Sequence, residues 1–493
     1  MHDERPPGCL DPEDWDDFRA LAHRAVDEAI DHLASVRERP VWQPVPAAVI
    51  EEFRRPLPRD PQPIEEAYED FKRWVLPYPM GNTHPRFWGW YMGAGTAFGA
   101  LGDFLASMLN PNMGGGDHGA NHVETQVVDW CKDIVGLPRD AGGLLVSGGS
   151  MANLVGLAVA RNATAGIDLR AEGVQSLEAR TTWYASTEVH SCAQKSLELL
   201  GLGARALRKV AVDRDYCIDV RALEQMIAAD RAAGLRPVGV IGTAATINTG
   251  SVDDLAALAA LCERERLWFH VDGAIGALLT LSPRHRSLVA GMERADSIAL
   301  DLHKWLQVPF EAGCALVRDR HLHRDTFALT PEYLEHAARG IAAGSVWFSD
   351  YGIQLSRGFR ALKVWLSFKE HGADRYAALI ERSIEQAHAL ARLVAATDDL
   401  ELMAPVVTNI VCFRYRPRDA AEATLNALNE ELLIRLHESG IAAPSYTTLD
   451  GRYCLRAALA NHRTRDDDLA LVIEAVQRIG REVHAEAIHG SRR

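Results

Sequence analysis

The chain has 493 residues, too many for one small core, so two or three domains are expected. Apolar residues make up 47% and charged residues 24%, the balance of an ordinary soluble globular protein. A formal charge of −14 argues against a nucleic-acid or anionic-membrane surface, because binding phosphates needs an excess of Lys and Arg.

The eight cysteines (9, 131, 192, 217, 262, 314, 412 and 454) are scattered with no Cys-x-x-Cys pair. That spacing fits neither a zinc site nor a disulfide framework, so reduced thiols in a cytoplasm are expected and no metal is. The first residues lack the basic and apolar regions of a signal peptide, and no apolar stretch is long enough to span a bilayer.

In chain order, residues 11 to 37 repeat apolar side chains at helical spacing: Phe18, Leu21, Ala22, Ala25, Ala29 and Leu33. Pro40, Pro44 and Pro46 interrupt, a second short helix is predicted over 65 to 75, and Leu76-Pro77-Tyr78-Pro79 closes this arm. Residues 1–86 carry too little apolar surface to fold alone and are expected to lie on another surface, a partner subunit. From 87 to 372, short apolar runs alternate with helical stretches. Strands are predicted at 142–147, 238–242, 268–271 and 297–300, and helices at 151–162 and 252–265. The alternation predicts an α/β domain with a mostly parallel sheet and its ligand at the carboxyl ends of the strands. Residues 373–493 are predicted to form a smaller α+β domain, with a helix from 374 to 396 and strands at 408–414 and 452–457.

Four elements carry chemistry. Ser147-Gly148-Gly149-Ser150 joins a strand to a helix, and its backbone amides with the Ser150 hydroxyl suit a phosphate. His190 follows the apolar Thr182-Trp183-Tyr184. Asp272 closes the strand His270-Val271-Asp272, and Lys304 follows Asp301-Leu302-His303. Each alone has a bland reading: a common turn, a packed imidazole, an N-cap, a solvated amine. Together, in this order in an α/β chain, they suit pyridoxal 5'-phosphate. The Lys amine can form a Schiff base with the aldehyde, and the Asp can keep the pyridine nitrogen protonated. A metal hydrolase built on His270, Asp272 and His303 is a poor reading, because no His-x-x-x-His or Cys/His cluster supports it.

His-Val-Asp and His-Lys-Trp give the chain a close resemblance to the group II pyridoxal-phosphate-dependent amino-acid decarboxylases, the family of aromatic-L-amino-acid, histidine and glutamate decarboxylases. The likeness runs from about His84 to Arg360 and more weakly beyond. It implies a type I pyridoxal-phosphate-dependent transferase fold, with a seven-stranded, mostly parallel sheet between helices, and a homodimer with shared active sites. By position Lys304 resembles the Schiff-base Lys, Asp272 the pyridinium partner, and His190 the ring-stacking His. Gly149, Ser150 and His303 resemble the phosphate neighbourhood. Ala274 would pack under the ring, and Thr246 joins the cofactor contacts, with Ile247 following where many relatives have a second Thr. Tyr333, in Pro331-Glu332-Tyr333-Leu334, resembles the proton donor of the family's mobile loop. Aldehyde-forming members tend to lose that Tyr or the stacking His, so keeping both implies simple decarboxylation.

Departures from the family pattern concern the substrate. Trp90, Tyr91 and Gly93 correspond to the substrate-pocket segment of the aromatic decarboxylases, with Met92-Gly93 replacing Pro-Thr, so an enlarged or reshaped pocket is expected. Asn110-Pro111-Asn112-Met113 is more like the glutamate decarboxylases. Asp301 stands where some relatives have Asn near the phosphate, which is unfavourable unless it turns away or pairs. The expected activity is decarboxylation of an L-amino acid, aromatic by preference. An acidic or aliphatic substrate, an aldehyde-forming or aldolase-type reaction, and a silent binding protein of this fold are the alternatives.

Overall fold

The computed structural model describes residues 8–329, 337–344 and 346–490. Twelve strands follow in chain order. They are β1 (Phe87–Trp88), β2 (Gly142–Val146), β3 (Thr181–Ser186), β4 (Leu207–Val210), β5 (Arg236–Thr243) and β6 (Trp268–Asp272). Then come β7 (Ser297–Asp301), β8 (Gly313–Val317), β9 (Leu400–Leu402), β10 (Ile410–Tyr415), β11 (Ala443–Leu449) and β12 (Arg452–Ala458). Seven form one sheet in the order β2-β8-β7-β6-β5-β3-β4. Strands β7, β6, β5, β3 and β4 pair in parallel, while β8 runs antiparallel to both β7 and β2.

Every residue of β2, β6, β7 and β8 is buried, as in a sheet with helices on both faces. That is why these strands read as continuous apolar runs rather than alternating ones. The helix Gly149–Thr164 packs on β7 and β8, and its small, buried Ala152, Gly156 and Ala160 allow the close approach. The helix predicted from 252 begins at Leu255 instead, because the Asp254 side chain accepts from the Ala257 amide and sets the start there.

A second sheet, β1-β11-β12-β10-β9, buries its own core of Val411, Phe413, Leu455, Leu432 and Val476. The large domain was expected to begin at 87, but β1 lies in this smaller sheet, parallel to β11. The helix expected from 374 follows Gly372 (φ 68°, ψ 163°), which breaks the span Ala361–Ala395 into two helices. The N-terminal arm holds the helices Trp15–Ala34 and Ile64–Trp74, tied by Tyr68 Oη donating to Glu28 at 2.8 Å. Arg37 anchors it to Asp468 at 2.7 Å, and the Val41 amide donates to Gly440 O at 2.8 Å. Trp15, Ile30, Phe53, Leu57, Ile64 and Phe71 of the arm remain exposed.

Candidate active site

Because β2 and β7 are both antiparallel to β8, they run the same way as β5 and β6. The carboxyl ends of these four strands therefore share one edge of the sheet. Register does the rest: Thr243 pairs with Asp272, and Gly313 lies opposite both Val146 and Asp301. A cavity of about 410 Å³ opens there, within the usual range for a small-molecule site. Gly149, Ser150, His190, Asp272, Ala274, His303 and Lys304 all line it.

The helix Gly149–Thr164 has no side-chain cap, so its first-turn amides are left for a ligand. A Cβ at Gly149 would sit 2.7 Å from Asp301 Oδ2 and 3.1 Å from Ala274 Cβ, so only glycine leaves this cradle open. Beneath it, Asn153 donates to Gly149 O at 2.8 Å and its Oδ1 lies 2.8 Å from His270 Nε2. His270 Nδ1 meets Ser297 Oγ at 2.7 Å. Burial pushes His270 down to about 3, so it is a neutral strut for the glycine turn. Among the described residues no group of His, Cys, Asp or Glu could hold a metal ion.

His190 caps the helix Ser191–Leu199: its Nδ1 accepts from the Cys192 amide at 3.3 Å, which assigns the ring proton to Nε2. Burial lowers its pKa against the opposing pull of Asp272. Asp272 Oδ1 accepts from the Ala274 amide at 3.2 Å. Burial likewise lowers His303, whose Nδ1 lies 3.1 Å from Ala312 N and whose ring sits 4.5 Å from that of Phe310. Lys304 Nζ contacts Asp301 Oδ2 at 3.1 Å.

Pyridoxal phosphate fits this set. An uncapped helix start would suit its phosphate, an amine its aldehyde, a carboxylate its ring nitrogen, and an imidazole and a methyl group its ring. Thr243, which the sequence reading missed, adds a buried Oγ1 without a partner among the described residues. Its signal was available: it ends β5 beside Asp272.

Other expected residues lie elsewhere. Thr246 does not line the cavity, because its Oγ1 turns to Thr249 Oγ1 at 3.0 Å, and Ala245 and Ile247 take the lining instead. Trp90, Tyr91 and Gly93 are also absent from the lining. Tyr91 is buried, with its hydroxyl 3.1 Å from Asn409 Oδ1, whereas Trp90 is 54% exposed. Gly93 enlarges no pocket: a Cβ there would lie 2.2 Å from His303 O and 2.7 Å from Lys304 O, so it lets the chain pass under the lysine. Tyr333 lies outside the described residues.

Comparison with known proteins gives concordant matches. The model of the pyridoxal-dependent decarboxylase conserved domain matches residues 46–416. The chain is 34% identical to an aromatic-L-amino-acid decarboxylase of Bacillus atrophaeus, over 95% of this chain and 96% of that one. It is 29% identical to a phenylacetaldehyde synthase of Arabidopsis thaliana, over 93% and 94%. The solved structure of Oryza sativa TDC with PLP and tryptamine superposes with a TM-score of 0.88 at 28% identity, over 96% and 99% of the two chains.

Proposed function

We infer the chemistry from one premise: the chain belongs to the pyridoxal-dependent decarboxylase family. It is a carboxy-lyase of type I fold that uses pyridoxal 5'-phosphate to decarboxylate an amino acid. Our reading goes further: the amino acid is aromatic and the product is its amine. One observation carries this. The cavity offers Ile247, Ile275 and Phe310 as apolar wall, and among the described residues its lining holds Asp272, Asp301 and Glu311 but no arginine. A substrate with a second carboxylate, such as glutamate, needs a cation for it, and among the described residues the lining offers none beyond Lys304. An indole or phenol ring needs mainly apolar contact.

Bound in this cavity, pyridoxal phosphate supplies an electron sink for the pair left behind by carbon dioxide. In this reading Lys304 would hold it by the aldehyde, and Gly149, Ser150, Thr243 and His303 would lie about its phosphate and substituents. Asp272 keeps a proton at the ring nitrogen. His190 and Ala274 would hold the ring between them, and an imidazole kept neutral by burial would do so without opposing the charge at that nitrogen. Tyr333 delivers a proton to the former α-carbon, which completes the amine. The enzyme works as a homodimer with shared sites: the helix Ala97–Leu109 leaves Leu101, Phe104, Leu105, Met108 and Leu109 exposed as an apolar face for a second copy. No helix among the described residues is long and apolar enough to cross a membrane, and eight free thiols suit a reducing cytoplasm.

The test is a panel of amino acids offered to the reconstituted protein, with carbon dioxide, amine, aldehyde, ammonia and hydrogen peroxide measured together. Equal carbon dioxide and amine from tryptophan, tyrosine or phenylalanine is the expected result. Amine from glutamate or an aliphatic amino acid alone overturns the substrate. Aldehyde with ammonia and peroxide, the outcome suggested by the likeness to a phenylacetaldehyde synthase, overturns the product.

A further inference from the structure

We propose that Asp301 sets how tightly the enzyme keeps its cofactor. Its carboxylate stands in the phosphate cradle, pairs with Lys304 before pyridoxal phosphate arrives, and loosens the grip on the phosphate afterwards. This rests on the site reading above. Asp301 closes β7 and is buried. It neither turns away from the cradle nor is fully paired. Oδ2 contacts Lys304 Nζ at 3.1 Å, while Oδ1 is buried without a hydrogen-bond partner among the described residues. Both oxygens lie against the glycine turn, 3.5 Å and 2.7 Å from where side chains at Gly148 and Gly149 would begin.

The surrounding groups leave the carboxylate poorly compensated. His303 Nε2 is 3.8 Å from Oδ1, but burial favours its neutral ring. His190 is lowered by burial as well, the Cys192 thiol is pushed up by burial, and Asp272 is a second carboxylate. Lys304 is therefore the one cation beside Asp301 in the cavity lining among the described residues. Without cofactor, Asp301 plays the anion at an uncapped helix start and neutralises the lysine. With cofactor, the aldehyde would claim the lysine nitrogen and a phosphate would enter a cradle whose helix-start amides and Ser150 hydroxyl can donate. An ionised carboxylate offers only lone pairs to phosphate oxygens, and at this range two anions repel. An asparagine of the same shape would offer an N–H instead.

The experiment titrates cofactor-free wild type and Asp301→Asn with pyridoxal 5'-phosphate and, separately, with pyridoxal. Bound aldehyde is read by absorbance and by borohydride trapping at Lys304. The measured quantity is the ratio of the two affinities, because losing the carboxylate alters Lys304's reactivity towards both aldehydes alike. The ratio should rise about tenfold in favour of the phosphorylated form, and the melting temperature of the cofactor-free variant should fall. A ratio that is unchanged or lower, or a cofactor-free variant as stable as wild type, overturns the proposal. Asp301→Ser gives the same comparison if the asparagine variant does not fold. Failure of the wild type to trap either aldehyde at Lys304 would instead remove the site reading itself.

Discussion

Two acid–base pairs, Arg357–Glu124 and Lys304–Asp301, are built for opposite ends. Arg357 and Glu124 are 1% and 0% exposed and form an ion pair, while Arg357 also donates to Met113 O at 2.6 Å and Leu145 O at 2.7 Å. Burial raises the Glu124 pKa and the guanidinium opposes that shift. A planar fork bonded to several elements cannot leave without stranding them, so this pair fixes β2 in place. Asp301 and Lys304 share a single contact at the cavity edge. One flexible amine with one bond can leave, as the lysine proposed to engage an aldehyde has to. Permanence here comes from the number of bonds rather than from charge.

That contrast can be broken most directly at Lys304. Lys304→Ala should abolish borohydride trapping of the cofactor and cut amine formation on the order of 10³-fold or more, with the fold intact by circular dichroism. Retained turnover would mean another amine does the work. Glu124→Gln should have the complementary effect, costing ~3–5 kcal/mol in denaturant unfolding because Arg357 keeps its burial and loses its counter-charge. A shift under ~1 kcal/mol would make the pair no more than surface-like.

His270 sharpens the comparison as a buried base with no ion partner. Its pKa falls from 6.5 to about 3 on folding, so between those values the unfolded chain binds the proton and the folded one does not. Stability from this group is present above pH 6.5 and is lost as pH falls towards 3, with a slope of about 1.4 kcal/mol per pH unit. His270→Gln should remove that share of the acid dependence; an unaltered profile would show that the ring titrates freely. The smallest effects concern two threonines. Thr243→Val should weaken pyridoxal phosphate binding about fivefold by equilibrium titration, and Thr246→Val less than about twofold. The reverse ranking would restore Thr246 to the cavity.

The sheet strands were legible because a doubly covered sheet demands unbroken apolar runs, and β2, β6 and β7 lie within a residue or two of their predicted spans. Loops were less so. Ala245 adopts a left-handed conformation (φ 67°), and beyond it the chain folds back so that the Thr246 amide donates to Ser251 O at 2.8 Å. Side-chain spacing does not encode such a reversal. β1 was misplaced for a related reason: which sheet a short extended segment joins depends on partners hundreds of residues away, such as Ala443 for Phe87.

By itself the sequence determined the cofactor chemistry, since a strand-end Asp, a His-Lys pair and a glycine turn in this order are local features that need only an α/β scaffold to meet. Tertiary structure decided which way side chains face once they meet. It turned Thr243 in and Thr246 away, left no room for a side chain at Gly93, and aimed Asp301 at the glycine turn. Such directions follow from register and close packing between distant segments, to which the pattern along one segment is blind.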